Sequence, residues 1–389
     1  MKGVANVSMK PKIALVSPGS FIIPSGVSSS VEQVMEELAN RIGLSTDCTV
    51  YGIRAPGVPG REIRGPVRYL RPSGRKNYLS AVIKSLRRES YDLIQVDNRP
   101  RMARAVKKAL PGKRVWLALH SLTFVSRRHI GRQELADCFR HVERILVNSR
   151  YLEEEIARLV PEAALKLQVL YPGVNTGLFL PRWDGEGARL REEKLRVMGY
   201  GGKRIILYAG RLREIKGVHH LLEAMPRLAA QFPDAVLLVV GGAFYGSGRT
   251  TGYVRKLHRM ARSLPRNVRF VPYVPHERMP EWFRLADVAV VPSPRREAFG
   301  LVNVEAMASG VPVVAADSGG MREIILHGET GYLVPVESLS EGIADAVGRL
   351  LADQGLARRM GERAAVRVRE QFTWEGTAAL WLALAGFRL

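Results

Sequence analysis

Residues 288–310 read VAVVPSPRREAFGLVNVEAMASG. Val288–Val291 is a short apolar run of the kind that fills a strand covered on both faces. Pro292 ends the run, a loop delivers Glu297 and Phe299-Gly300, and a helical stretch starts at Leu301. Gly310 stands where a helix commonly closes. Glycine at the helix entrance lets the backbone N–H groups of Gly300, Leu301 and Val302 approach an anion, which the helix dipole favours. Glu305 lies about one turn further in, where a carboxylate can accept two hydrogen bonds from a vicinal diol. Two carboxylates with seven residues between them and a Phe-Gly step inside are more specific than a lone glycine-rich loop. The plain alternative is a surface loop followed by an amphipathic helix.

The same strand–helix rhythm extends in both directions. Downstream of residue 200 it gives strands at Ile205–Ala209, Val236–Val240, Phe270–Tyr273 and Val311–Ala315, with a helix at Val218–Ala230. Upstream, Ile13–Ser17, Thr49–Ile53, Leu93–Val96, Val115–Leu119 and Ile145–Val147 read as strands. Val27, Val31, Val34, Leu38 and Ile42 share one face of a helix, and Tyr78–Arg88, Arg101–Leu110 and Leu152–Leu159 read as further helices. Two such series predict two doubly wound α/β domains with parallel sheets. The polar, strand-poor stretch Pro181–Tyr200 is the expected linker. Ligands of such sheets bind beyond the carboxyl ends of the strands, so two facing domains would hold one in a cleft.

A second motif, Gly210-Arg211-Leu212-Arg213-Glu214-Ile215-Lys216-Gly217, follows the strand at Ile205–Ala209. Arg offers a planar fork and Lys a point charge for phosphate oxygens. Together Arg211 and Lys216 could neutralise charge on a departing diphosphate. Basic residues after a strand are also commonly solvated, and Arg213 receives no role.

The chain has 389 residues, enough for two cores, and a formal net charge of +22 from 59 Lys and Arg against 37 Asp and Glu. Residues 54–114 hold 17 basic and 4 acidic side chains, a local excess of +13. Such a field attracts anionic head groups or acidic polymers; the alternative is a solvated basic surface. Cys48 and Cys138 make no disulfide framework or zinc site, which fits a reducing compartment. Met1–Lys12 lacks the apolar core of a signal peptide, and no apolar stretch reaches the roughly 20 residues that span a bilayer. The expected location is cytoplasmic, at most peripheral to a membrane.

These motifs together resemble the retaining glycosyltransferase family 4. Supporting stretches are Tyr171-Pro172-Gly173-Val174-Asn175, Asp317-Ser318-Gly319-Gly320-Met321-Arg322-Glu323 and Gly328-Glu329-Thr330-Gly331-Tyr332-Leu333-Val334. Within the family the chain is similar to bacterial spore-coat glycosyltransferase-like proteins. The resemblance implies two facing Rossmann-like domains of GT-B type: 1–180 on the acceptor side, 181–372 binding a nucleotide sugar, and 373–389 a helix returning to the first domain. It implies a nucleotide-sugar co-substrate, a UDP-sugar favoured over a GDP-sugar, with no metal and no further cofactor. Arg211 and Lys216 would bind the donor diphosphate, Glu297 the sugar hydroxyls and Glu305 the ribose. Phe299, Gly300, Leu301 and Val302 would offer backbone groups, Tyr273 and Val274 would border the base, and Gly26 would meet phosphate. His120, ending the Val115–Leu119 strand, matches the position that reaches the sugar, and it counts with Glu297, Arg211 and Lys216 as catalytic. Two departures stand out: Ser25-Gly26-Val27 replaces the usual glycine pair, and Asn175 replaces an aspartate.

The implied reaction is sugar transfer with retention to a sugar, lipid-linked or glycan acceptor; separately, the local charge of +13 predicts that residues 54–114 dock an anionic acceptor or a membrane surface. Nucleic acid is disfavoured, because the basic stretch has few interleaved aromatics. Competing expectations are a nucleotide-sugar epimerase or sugar-phosphate synthase on the same fold, and a non-catalytic sugar-binding or coat-assembly protein.

Overall fold

A computed structural model describes residues 10–25, 29–72, 75–246, 248–295 and 297–387. The chain divides into two compact units, one of residues 1–148, 153–170 and 374–389, the other of residues 149–152 and 171–373.

The first unit is built on β1 (Lys12–Val16), β2 (Asp47–Tyr51), β3 (Arg61–Arg64), β4 (Val67–Leu70), β5 (Leu93–Asp97), β6 (Arg114–Leu119), β7 (Arg144–Val147) and β8 (Leu167–Val169). They form one 8-stranded sheet in the order β3-β4-β2-β1-β5-β6-β7-β8. Ile13 sits opposite Cys48 on one side and Leu93 on the other. All pairings are parallel except β3–β4. That hairpin is absent from the hydropathy pattern because β3, REIR, is an edge strand carrying charges, which also protect it from further pairing.

The helix Trp374–Ala385 buries Trp374, Thr377, Ala378, Trp381, Leu382 and Ala385. The three- and four-residue steps put these on one face. It belongs to the first unit. Trp381 meets Trp116 edge-on with ring centroids 5.5 Å apart, and both rings are fully buried.

The basic stretch 54–114 is partly neutralised by folding. Arg71 is buried and donates to the carbonyls of Ile23 and Pro59 and to Glu62. Arg68 pairs with Glu89, Arg101 with Glu134, Arg104 with Asp137 and Arg114 with Glu143. Lys84, Arg87, Arg88 and Lys108 are exposed and enter no ion pair among the described residues.

The second unit holds β9 (Arg204–Ala209), β10 (Ala235–Val240), β11 (Val268–Val271), β12 (Val288–Val291), β13 (Val313–Ala316) and β14 (Gly331–Val334). This 6-stranded sheet has the order β11-β10-β9-β12-β13-β14 and is parallel throughout. Strand order reverses between β9 and β12, and in open sheets of this kind ligands bind beyond the carboxyl ends of the strands at such a reversal. Strands β9, β10, β12 and β13 are buried almost end to end, which explains their unbroken apolar runs.

The stretch expected as a linker is instead part of this unit: Gly185–Val197 is a helix. Its only buried residues are Gly187 and Leu195, too few to mark it by periodicity. Ionic contacts hold it: Arg182 and Arg191 reach the Asp287 carboxylate at 2.6 and 3.0 Å.

Candidate functional site

The carboxyl ends of β9 and β12 carry the two sequence motifs. After β9 the chain makes a short 3-10 turn at Glu214–Lys216 and then a left-handed residue, Gly217, before the helix Val218–Gln231. Gly217 has φ +69°, and a Cβ there would lie 1.8 Å from the Pro292 carbonyl oxygen. Only glycine lets the Lys216 turn come that close to the end of β12. Gly319 does the same for the other partner: with φ +60°, its missing Cβ leaves room for the Glu297 carbonyl. The N–H of Gly320 then donates to that carbonyl at 2.9 Å.

So placed, Lys216 Nζ lies 2.5 Å from Glu297 Oε2. Burial pushes the Glu297 carboxyl up, but the Lys216 ammonium, a hydrogen bond from Ser293 and the charge of Arg211 outweigh it. The group ends below its ordinary value. Arg211 is oriented from both sides of its backbone and side chain. The Tyr208 hydroxyl donates to its carbonyl at 2.9 Å, and its guanidinium stands 5.3 Å from the centroid of the Tyr245 ring.

The helix Leu301–Ala308 begins at Gly300, which has φ +96° and supplies no side-chain cap. The entrance carrying Gly300, Leu301 and Val302 thus presents backbone N–H groups at a positive dipole end. Asn303 in the first turn is fully buried, with neither amide atom bonded among the described residues. Glu305 is buried as well, and its Oε1 pairs with His276 Nε2 at 2.7 Å.

Phe299 is 2 % exposed and packs between Tyr171 and Phe372, centroids 6.0 and 5.8 Å away, so its side chain anchors the loop in the core. Strand β11 ends two residues earlier than expected, which leaves Tyr273 and Val274 on the following loop. There Tyr273 meets Tyr245 edge-on at 6.4 Å, and Val274 packs partly buried against the core. Gly26 lies outside the described residues.

His120 belongs to the first unit, at the end of β6. Its Nε2 is 2.9 Å from Asp97 Oδ2, its backbone N–H donates to Asn98 Oδ1 at 2.9 Å, and its carbonyl accepts from Asn148 at 3.2 Å. Arg211, Lys216, Glu297, the Gly300 entrance and Glu305 therefore share one end of the second sheet, while His120 sits at the carboxyl end of the first.

Sequence reasoning missed Ser293, His276 and Asp97. Ser293 was within the quoted motif and could have been read as a partner of Glu297. His276 follows a strand, the same signal that singled out His120. Glu323, noted only as part of a supporting stretch, accepts from the backbone N–H groups of Arg150 and Tyr151 and from the Tyr171 hydroxyl, each at 2.8 Å. Among the described residues no three His, Cys, Asp or Glu side chains cluster as metal ligands, and no helix is long and apolar enough to cross a membrane.

Comparison with known proteins identifies the family and the fold. Residues 191–367 match the family described as glycosyl transferases group 1, and residues 24–178 match glycosyltransferase family 4. Spore coat protein SA of Bacillus subtilis is 30% identical over 367 residues, covering 94% of this chain and 97% of that one. Among solved structures, sucrose-phosphate synthase from Thermosynechococcus elongatus superposes with a TM-score of 0.78 at 24% identity, covering 96% of this chain and 98% of the other. Anabaena HepE in complex with UDP and glucose superposes with a TM-score of 0.76 at 20% identity, covering 96% and 99%. Both structural likenesses establish the two-domain GT-B fold.

Proposed function

This chain belongs to the glycosyltransferases of group 1 and family 4, and from that premise we propose that it moves a sugar, with retention, from a nucleotide-diphosphate donor to an acceptor hydroxyl. The observation that carries the reading is the Lys216–Glu297 pair, held beside a helix entrance at the reversal point of a parallel sheet. A UDP-sugar is the favoured donor; HepE, which shares the fold, was solved with UDP and glucose.

In this reading the sugar C1–O bond breaks and its electron pair passes to the diphosphate. The acceptor oxygen bonds C1 from the face the diphosphate leaves, and its proton passes to a phosphate oxygen. Arg211, Lys216 and the N–H groups at Gly300, Leu301 and Val302 take up the leaving-group charge, a preorganised electrostatic role that needs no divalent metal. Without donor, the Lys216 charge is neutralised by Glu297, and an arriving diphosphate competes for it. Glu297 is then released towards the sugar hydroxyls, Glu305 faces the ribose, Tyr273 and Val274 border the base, and Gly26 meets phosphate. His120 reaches the sugar from the first unit. Glu297 is read as a contact to the sugar hydroxyls and not as a covalent nucleophile, and the acid-and-nucleophile carboxylate pair of glycoside hydrolysis is not carried over, because a nucleotide needs little protonation to leave.

The acceptor is a sugar, a lipid-linked sugar or a glycan, brought in by the exposed cations of residues 54–114. The protein then works in the cytoplasm, at an anionic surface. The test is nucleotide release by purified protein from UDP-, GDP- and ADP-sugars, with and without acceptor and chelator, followed by NMR of the new anomeric linkage. Release without acceptor that equals release with it, or an inverted linkage, contradicts the reading.

A further inference from the structure

Four side chains of the first unit form a continuous buried relay that ends on His120. The Trp381 indole N–H donates to Gln95 Oε1 at 2.7 Å. Gln95 Nε2 donates to Asp97 Oδ1 at 2.8 Å, and Asp97 Oδ2 lies 2.9 Å from His120 Nε2. Trp381 is fully buried, Gln95 is 2 % exposed and Asp97 is 1 % exposed. The members come from the helix Trp374–Ala385, from β5 and from the end of β6.

Each link has only one sensible direction. An indole nitrogen donates and cannot accept, so it fixes which end of the Gln95 amide faces the helix. The amide nitrogen must then point at Asp97. A flipped amide would set its oxygen against a carboxylate and leave the indole N–H unpaired, and unpaired buried polar groups are costly. An ionised carboxylate only accepts, so His120 must carry a proton on Nε2. Nδ1 has no partner among the described residues. The backbone of His120 is held on both sides by Asn98 and Asn148, so little but ring orientation remains for the relay to set.

We infer that Trp381, Gln95 and Asp97 are positioning residues: they lock the His120 imidazole in one orientation with Nε2 protonated, presenting Nδ1 as an acceptor for a substrate hydroxyl. The C-terminal helix thereby serves the site histidine as well as the core. The proposal deepens the reading that His120 touches the sugar, and rests on it for its consequence in catalysis. Orienting partners of functional histidines act in this way where the other ring nitrogen does the chemistry.

The test is a two-bond 15N–1H correlation spectrum of the full chain labelled at histidine, with the His120 signal assigned by its loss in His120→Gln. The wild type is expected to show a single ring form with Nε2 protonated rather than a mixture of tautomers. Asp97→Asn, which keeps the shape but can present a donor, should let the Nδ1-protonated form appear. Trp381→Phe and Gln95→Leu should broaden or average the signal. Sugar-transfer kcat should fall by about tenfold in Asp97→Asn, the lower end of what orienting-shell changes cost elsewhere, with the donor KM little changed. If Gln95→Leu does not fold, Trp381→Phe supplies the same reading. A His120 signal that already averages both forms in the wild type, or that stays purely Nε2-protonated in Asp97→Asn and Trp381→Phe while only the melting temperature drops, overturns the relay. A locked ring with unchanged transfer in His120→Gln would instead remove the sugar contact and leave the relay standing.

Discussion

Lys216 Nζ and Glu297 Oε2 meet at 2.5 Å although they lie 81 residues apart in the chain. Neighbouring strands β9 and β12 end side by side; the left-handed Gly217 lets the loop after β9 approach the end of β12, and the left-handed Gly319, after β13, makes room for the Glu297 backbone. In the proposed function the pair balances a cation offered to phosphate with an anion offered to sugar hydroxyls.

Removing either partner should damage turnover. Lys216→Ala is expected to lower the rate of nucleotide release by about 100-fold, the scale of losing one preorganised charge-stabilising donor. Glu297→Ala should lower it as well, measured as steady-state release from a UDP-sugar with saturating acceptor. Release undiminished in both variants sinks the assigned site.

The depressed Glu297 carboxyl makes stability depend on pH. Its folded value lies below the ordinary 4.5, so its ionisation stabilises the fold above that value. The contribution disappears as pH falls through the folded value. The melting temperature of the wild type should exceed that of Glu297→Gln near neutrality, and the two should converge as the pH is lowered beyond 4.5. A gap that stays constant or widens in acid would show that the carboxyl titrates no differently when folded.

Gly217→Ala tests the close approach directly. A side chain at φ +69° beside the Pro292 carbonyl should cost about 2 kcal/mol or more. Because the loop must shift, it should also separate Lys216 from Glu297 and lower turnover in the material that remains folded. Full stability and activity in this variant would mean that the turn has slack.

Much of the fold was legible because strands buried on both faces leave unbroken apolar runs, as in β9, β10 and β12. What escaped lacks such runs. The β3–β4 hairpin carries its charges on an edge, and the helix Gly185–Val197 is held by Arg182 and Arg191 on Asp287. In the site, Arg211, Lys216, Glu297 and Glu305 were visible as residue types at strand ends and a helix start. Their partners were not. His276 reaches Glu305 from a different loop, and Trp381 reaches Gln95 across 286 residues. Contacts of that kind come from topology and leave no periodic trace. The Gly319-Gly320 turn showed in sequence only as a supporting stretch, yet its task is to seat the Glu297 backbone.

The exposed cations Lys84, Arg87, Arg88 and Lys108 are expected to draw the protein onto anionic vesicles, each contributing about 1 kcal/mol. Cosedimentation should fall with salt and with the triple change Lys84→Glu, Arg87→Glu and Arg88→Glu. Equal binding to neutral vesicles, or none to anionic vesicles and acidic glycans alike, removes this role.

Calorimetric titration of UDP into the wild type, Lys216→Ala and Glu297→Gln measures the cationic cradle without any acceptor. Loss of one charge-assisted contact should weaken UDP binding at least about tenfold in Lys216→Ala. Glu297→Gln, which frees the ammonium from its competitor, should bind UDP as tightly as the wild type or more so. Equal UDP affinity in Lys216→Ala and the wild type would contradict the account.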